Sequence, residues 1–258
     1  TLAYDFSTNK NYFIFFTILF FLGSVLMRSA GCIVNDISDK KFDLKVKRTK
    51  NRPIASGKIS KKLGIFYALV LCFLAFVVLI NFNLLTILLA LVSMPLAFTY
   101  PLMKRYTYWP QLFLGITFNY GLILGWTSIQ SEIDIIPVIF YCGAIFWTLG
   151  YDTIYGFQDI KDDEIIGIKS TSIKFKKNPK LFLFICYTIF IICFFTIGIV
   201  MEFNNIFFIT LILPILHLFL YQIKFFKEKI PENCLKIFKS NNFFGLIIYV
   251  NILTGKLF

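Results

Sequence analysis

The chain has 258 residues, of which 58% are apolar, 19% aromatic and only 16% charged. Soluble domains carry about 25% charged residues. Too few polar side chains remain to cover a wetted surface, so a soluble enzyme, a disordered chain and a secreted disulfide scaffold are excluded, leaving a polytopic membrane protein.

Crossing a bilayer core takes about 20 mostly apolar helical residues. In chain order, eight such stretches are expected, over 12–35, 62–80, 84–103, 109–129, 135–156, 181–200, 204–223 and 240–257. The runs are continuous rather than alternating, which predicts helices and not strands. The expected fold class is all-α, a transmembrane helical bundle. No repeat or linker divides it, so 1–258 reads as one domain.

The connections explain the net charge of +12. Those at 81–83, 130–134 and 201–205 contain no Lys or Arg, whereas 40–62, 104–105, 161–180 and 224–239 hold 23 of the 26 basic residues. If each span crosses once, every basic stretch falls on one side. The positive-inside rule makes that side the cytoplasm of a bacterial inner membrane, or the matrix of a mitochondrion. The basic excess is a topology signal, and no nucleic-acid partner is expected. Thr1 is then placed outside, with room for an earlier span before it. The six cysteines lie scattered in apolar runs with no CxxC pair, which argues against a disulfide framework or a zinc site.

Eight of the 14 acidic residues fall in two short segments. Asn35, Asp36, Asp39 and Asp43 close the first visible span. Asp152, Tyr155, Asp159, Asp162, Asp163 and Glu164 close the fifth. Asn35, Asp39 and Asp43 are spaced i, i+4, i+8, as are Tyr155, Asp159 and Asp163. Such positions share one helix face. A single segment of this kind is an ordinary solvated helix end. Two with matching spacing on one side of the membrane point to a bound cation. Two carboxylates ~5 Å apart, at an effective dielectric of ~20, repel by about 3 kcal/mol.

Carboxylates with an amide oxygen, and no His or Cys, are hard ligands suited to Mg²⁺, Mn²⁺ or Ca²⁺. Mg²⁺ takes one or two carboxylates and completes its shell with water and phosphate oxygens. Arg48, Arg52, Lys104 and Arg105 stand nearby in sequence and suit phosphate oxygens. The 33 phenylalanines, with Leu and Ile, could line an apolar groove, though any given Phe more readily faces lipid or packs the bundle. An isoprenoid diphosphate meets both requirements. The lone His217, in LPILHLF, reads as packed or hydrogen-bonded. Pro95, Pro137 and Pro214 are candidate kinks, and the glycines of the spans suit close packing.

Three stretches carry a resemblance: GCIVNDISDKKFDLKVKRTKNRPIASGKIS (31–60), YPLMKRYTYWPQ (100–111) and GYDTIYGFQDIKDDEIIGIKSTSI (150–173). With their NDxxDxxxD, YxxxK and DxxYxxQDxxDD patterns, they resemble the UbiA-type membrane prenyltransferases, most of all the branch that prenylates 4-hydroxybenzoate on the way to ubiquinone. The resemblance implies Mg²⁺-dependent transfer of a polyprenyl group from a polyprenyl diphosphate to the ring of 4-hydroxybenzoate, ortho to the hydroxyl. It implies one metal held by Asn35, Asp39 and Asp43, and another by Asp159 and Asp163. Asp36 and Asp162 would support them. Arg48, Lys104 and Arg105 would bind the diphosphate, and Tyr100, Asp152 and Tyr155 would orient the ring or the metal shell. It also implies a nine-helix fold whose first helix is missing from this sequence. Other acceptors of the same superfamily are the alternative: a haem O synthase, a menaquinone-branch or a homogentisate enzyme. A cation transporter is less favoured, because transporters place such acids near the bilayer midplane.

Overall fold

The computed structural model describes residues 10–46 and 49–257. Arg48 therefore lies outside the described residues. Among those residues every regular element is helical. The chain divides into two compact units, 1–103 with 124–132, and 104–123 with 133–258.

The first unit is built on α1, Lys10–Asp43, which runs 34 residues without a break. At 1.5 Å per residue it is about 50 Å long, well beyond the ~30 Å hydrocarbon core. The expected span 12–35 is thus only part of it. No Gly or Pro interrupts Asn35–Asp43, and Lys40 and Lys41 sit in the last turn, where cations suit the helix dipole. Alongside α1 packs α2, Lys61–Leu79, and α3, Leu84–Thr99, also touches it. Ser60 caps α2 by accepting from Leu63 N at 3.2 Å. Asn83 caps α3 from Thr86 N at 2.9 Å, while its amide donates to Thr127 O at 2.7 Å. A 3₁₀ turn, Tyr100–Leu102, and a one-turn helix α4, Met103–Tyr106, follow α3.

In the second unit, α5 (Pro110–Phe118) and α6 (Gly121–Gln130) make one broken span, of which α5 and the first residues of α6 belong here. At the break, Asn119 satisfies itself inward, donating to Gly115 O at 2.8 Å and Thr148 Oγ1 at 2.7 Å. The central helix is α7, Ile135–Gly156. Against it lie α5, then α10 (Pro179–Val200) and α13 (Pro231–Leu257). Gly150 permits the close approach of α10, since a Cβ there would run into the Tyr187 ring. Two short helices, α8 (Ile160–Ile166) and α9 (Thr171–Lys174), occupy the connection between α7 and α10. The seventh span is composite: α11 (Asn205–Thr210), α12 (Ile212–Ile215) and a π-helical segment, Leu216–Lys224. Pro214 has no N–H to return to Thr210, which loosens the ladder just before the π segment.

Phe190, Phe194, Phe207, Phe226 and Phe244 are fully buried in the second unit, whereas Phe66, Phe73 and Phe21 point outward. A greasy exterior of this kind is what a lipid solvent selects.

Seven of the eight expected spans are long and apolar enough to cross a membrane. The eighth, 240–257, lies in α13, which is long enough but carries Asn241, Asn242 and Asn251. Two of these are buried and bonded inward. Asn241 Oδ1 accepts from Trp147 Nε1 and Gln222 Nε2, both at 2.9 Å, and Asn251 Nδ2 donates to Thr210 Oγ1 at 2.6 Å. Asn241 and Asn251, which help to lower its hydropathy, are interior packing groups.

Candidate active site

The first acidic segment is the end of α1. Asn35, Asp39 and Asp43 fall within one uninterrupted helix, so the face-sharing that their spacing predicts holds here. Asp39 and Asp43 are buried, and Asn35 and Asp36 are half-buried. The chain then winds back on the helix end. Thr49 Oγ1 donates to Asp43 O at 3.1 Å, Arg52 N donates to Thr49 O at 3.0 Å and Ser56 N to Arg52 O at 2.8 Å. Ile54 and Ala55, within this loop, are buried. Its result is an ion pair: Arg52 Nη1 lies 3.0 Å from Asp36 Oδ1 and 3.1 Å from Asp43 Oδ2.

The second segment departs from the expectation of a single helix carrying Tyr155, Asp159 and Asp163. The helix α7 stops at Gly156, and Phe157 turns inward against Phe226, with ring centroids 5.3 Å apart. Asp159 opens the new helix α8 as its N-cap residue. Asp163 N donates to Asp159 O at 2.9 Å, so these two acids stay one turn apart, while Tyr155 belongs to another helix and packs on Phe238 at 4.4 Å. Asp162 shares the first turn of α8, and Asp152 lies one turn before the end of α7. Gly167, at φ 79°, closes α8 in the left-handed region.

The segment is clamped from behind. Thr171 N donates to Gln111 Oε1 at 3.0 Å, the Thr153 and Thr171 hydroxyls meet at 2.6 Å, and Ser172 Oγ donates to Thr153 O at 2.8 Å. All four side chains are buried. A Cβ at Gly156 would collide with the Ser172 hydroxyl. On its other flank, Lys169 N donates to Lys104 O at 2.9 Å and Lys169 Nζ to Tyr106 O at 3.2 Å. Lys104 is thereby tied to the acid-bearing connection. Arg105 is exposed beside it, and Tyr100 begins the 3₁₀ turn ahead of them.

The donor set fits magnesium chemically: hard oxygens, with no His or Cys among them. Among the described residues no three carboxylates converge into a self-sufficient metal cage.

The model of the UbiA prenyltransferase family matches residues 4–248. The chain belongs to this family. As a UbiA-family protein it is a multi-pass membrane prenyltransferase. It is 40% identical over 237 residues to the 4-hydroxybenzoate octaprenyltransferase of Vibrio campbellii, covering 92% of this chain and 83% of that one. The enzyme of the same name from Francisella tularensis subsp. novicida is 37% identical over 236 residues, with 91% and 82% covered. Among solved structures, a UbiA homologue from Aeropyrum pernix superposes with a TM-score of 0.76 at 22% identity, over 91% of this chain and 89% of that one. A homologue from Archaeoglobus fulgidus bound to GPP and Mg²⁺ gives 0.67 at 18%, over 92% and 85%. These two likenesses bear on fold alone.

Sequence reasoning passed over Gln111, Thr153, Thr171 and Ser172 in this UbiA-family chain. A signal was present. Gln111 and Thr153 are polar residues inside apolar helices, and Ser170, which accepts from Ile173 N at 3.2 Å, precedes a helix turn as a cap residue does.

Proposed function

We propose that the chain transfers a polyprenyl group from a polyprenyl diphosphate to the ring carbon of 4-hydroxybenzoate ortho to its hydroxyl, as a step of ubiquinone biosynthesis. We place it in a bacterial inner membrane, with the acidic segments on the cytoplasmic side. The observation that carries this reading is the 40% identity with the Vibrio campbellii enzyme across 92% of the chain, both acidic segments being present.

Asn35, Asp39 and Asp43, with Asp36 in support, are proposed to hold one Mg²⁺. Asp159 and Asp163, with Asp162, would hold a second. The bound metal would supply charge neutralisation to the departing diphosphate as the allylic C–O bond opens. The chain's own residues do the rest. Lys104 and Arg105, with Arg48 and Arg52, offer fixed cations to the leaving oxygens, worth most in a site shielded from water. The bonding pair leaves with the diphosphate, and the ring's π electrons form the new C–C bond. The ring proton leaves last, so no strong base is needed. Tyr100, Asp152 and Tyr155 would orient the acceptor. Apolar walls would keep out water, which competes for the same allylic cation.

The test is incubation of membranes carrying the chain with labelled 4-hydroxybenzoate and a short prenyl diphosphate, with and without Mg²⁺. Label is expected in a prenylated, solvent-extractable product only when Mg²⁺ is present. Transfer to homogentisate or haem but not to 4-hydroxybenzoate would reassign the acceptor. Ion flux with no diphosphate release would overturn the enzyme reading.

A further inference from the structure

We propose that Arg52 is the resting counterion of the first acidic row, and that a divalent cation must displace it from Asp36 and Asp43 in order to bind there. This rests on the magnesium reading above. One nitrogen, Nη1, reaches both carboxylates, at 3.0 and 3.1 Å. Asp36 and Asp43 are seven residues, two helical turns, apart on α1 and so lie on one flank, with Asp39 buried between them in sequence. The pairing is built by the backbone. The wound loop, stapled to Asp43 O by Thr49 and turned at Arg52 by its bonds to Thr49 and Ser56, delivers the guanidinium to the helix end. The Arg52 side chain is 33% exposed and that of Asp43 10%, which leaves the pair only weakly screened by salt.

A guanidinium and a hard divalent cation seek the same carboxylate lone pairs. Together they would also repel each other. Metal entry therefore releases Arg52, and the released guanidinium favours a new bidentate anion, which a diphosphate supplies. Metal and diphosphate binding become coupled through one side chain, and the coupling is reciprocal. Arg52 is in this sense a positioning residue that holds the row in register before the metal arrives. Metal alone is bound weakly, and metal with diphosphate strongly.

The test measures Mn²⁺ affinity by electron paramagnetic resonance on the full detergent-solubilised chain without diphosphate, together with metal-free unfolding temperature. Arg52→Gln is expected to bind Mn²⁺ at least about threefold more tightly than the unaltered chain and to unfold at a lower temperature, because the acids then repel unopposed. Lys50→Gln removes the same charge from an exposed neighbour, and its affinity is expected to stay at the unaltered value. Arg52→Lys keeps the charge on a shorter stem. It should bind between the two, and its equality with the unaltered chain would overturn the proposal should Arg52→Gln not fold. Unchanged or weaker Mn²⁺ binding in Arg52→Gln overturns it directly, as does a Lys50→Gln effect of equal size. Absence of Mn²⁺ binding in every variant instead removes the magnesium reading, and this proposal with it.

Discussion

The side chains proposed to carry the chemistry are few, and their environments differ. Asp39 and Asp43 are buried at the end of α1, whereas Asp159 and Asp163 sit half-buried on a short helix turn. Asp39→Asn or Asp159→Asn is isosteric, so insertion should survive while prenyl transfer is abolished, read as product formation at saturating Mg²⁺. Near-normal turnover in either would defeat the metal assignment. The first row was legible in the sequence because an unbroken helix converts i, i+4, i+8 directly into one face. The partner of Arg52 was not legible, because it depends on turns through Thr49 and Ser56 that no periodicity encodes. Cys234 shows the same limit. It is buried near the start of α13, and burial pushes its thiol up to about 11. A raised thiol pKa means little thiolate at neutral pH. Cys234 should therefore resist maleimide at pH 7.5 in the folded protein and react once it is denatured, as peptide mapping will show.

At the scale of elements, the second acidic segment depends on how its helix ends. The spacing Tyr155, Asp159, Asp163 suggested one continuous helix, and the structure breaks it at Gly156. Periodicity could not reveal this, because the break is made by remote partners: Phe226 receiving Phe157, and Ser172 filling the space a side chain at 156 would need. Gly156→Ala should push Ser172 away and displace the chain that leads to Asp159. Misplacement of a site group by ~1 Å costs up to roughly a hundredfold in rate, so activity should fall about ten- to a hundredfold while the protein stays inserted. Adding Ser172→Gly removes both atoms that a new Cβ would meet on that residue, Oγ and Cβ, and should restore part of the activity. A double variant no better than Gly156→Ala would show that the contact is not what positions the segment. Gln111→Leu leaves the Thr171 N–H without its 3.0 Å acceptor. A buried orphan donor costs about 1–3 kcal/mol, readable as a lowered unfolding temperature in detergent.

For the whole molecule, composition and charge carry most of the information, since the bilayer permits few architectures. Long apolar runs become helices because lipid offers no partner for backbone groups. Seven of the eight expected spans meet the length and apolarity of a crossing helix. The stretch 240–257 was harder to weigh by hydropathy alone, as Asn241 and Asn251 are polar in sequence yet bonded to interior partners. Orientation rests on the basic connections. It can be tested with single exposed positions on each side: Glu132→Cys in a connection free of basic residues, Lys58→Cys and Lys177→Cys in basic ones. A membrane-impermeant maleimide on intact bacterial spheroplasts should label Glu132→Cys above the background of the native cysteines. Lys58→Cys and Lys177→Cys should gain label only after permeabilisation. Each connection joins two crossings, so one inverted result would also mean a miscounted span. Labelling of Lys58→Cys and Lys177→Cys from outside, with Glu132→Cys protected, would turn the protein over and put both acidic segments on the wrong face for a cytoplasmic diphosphate.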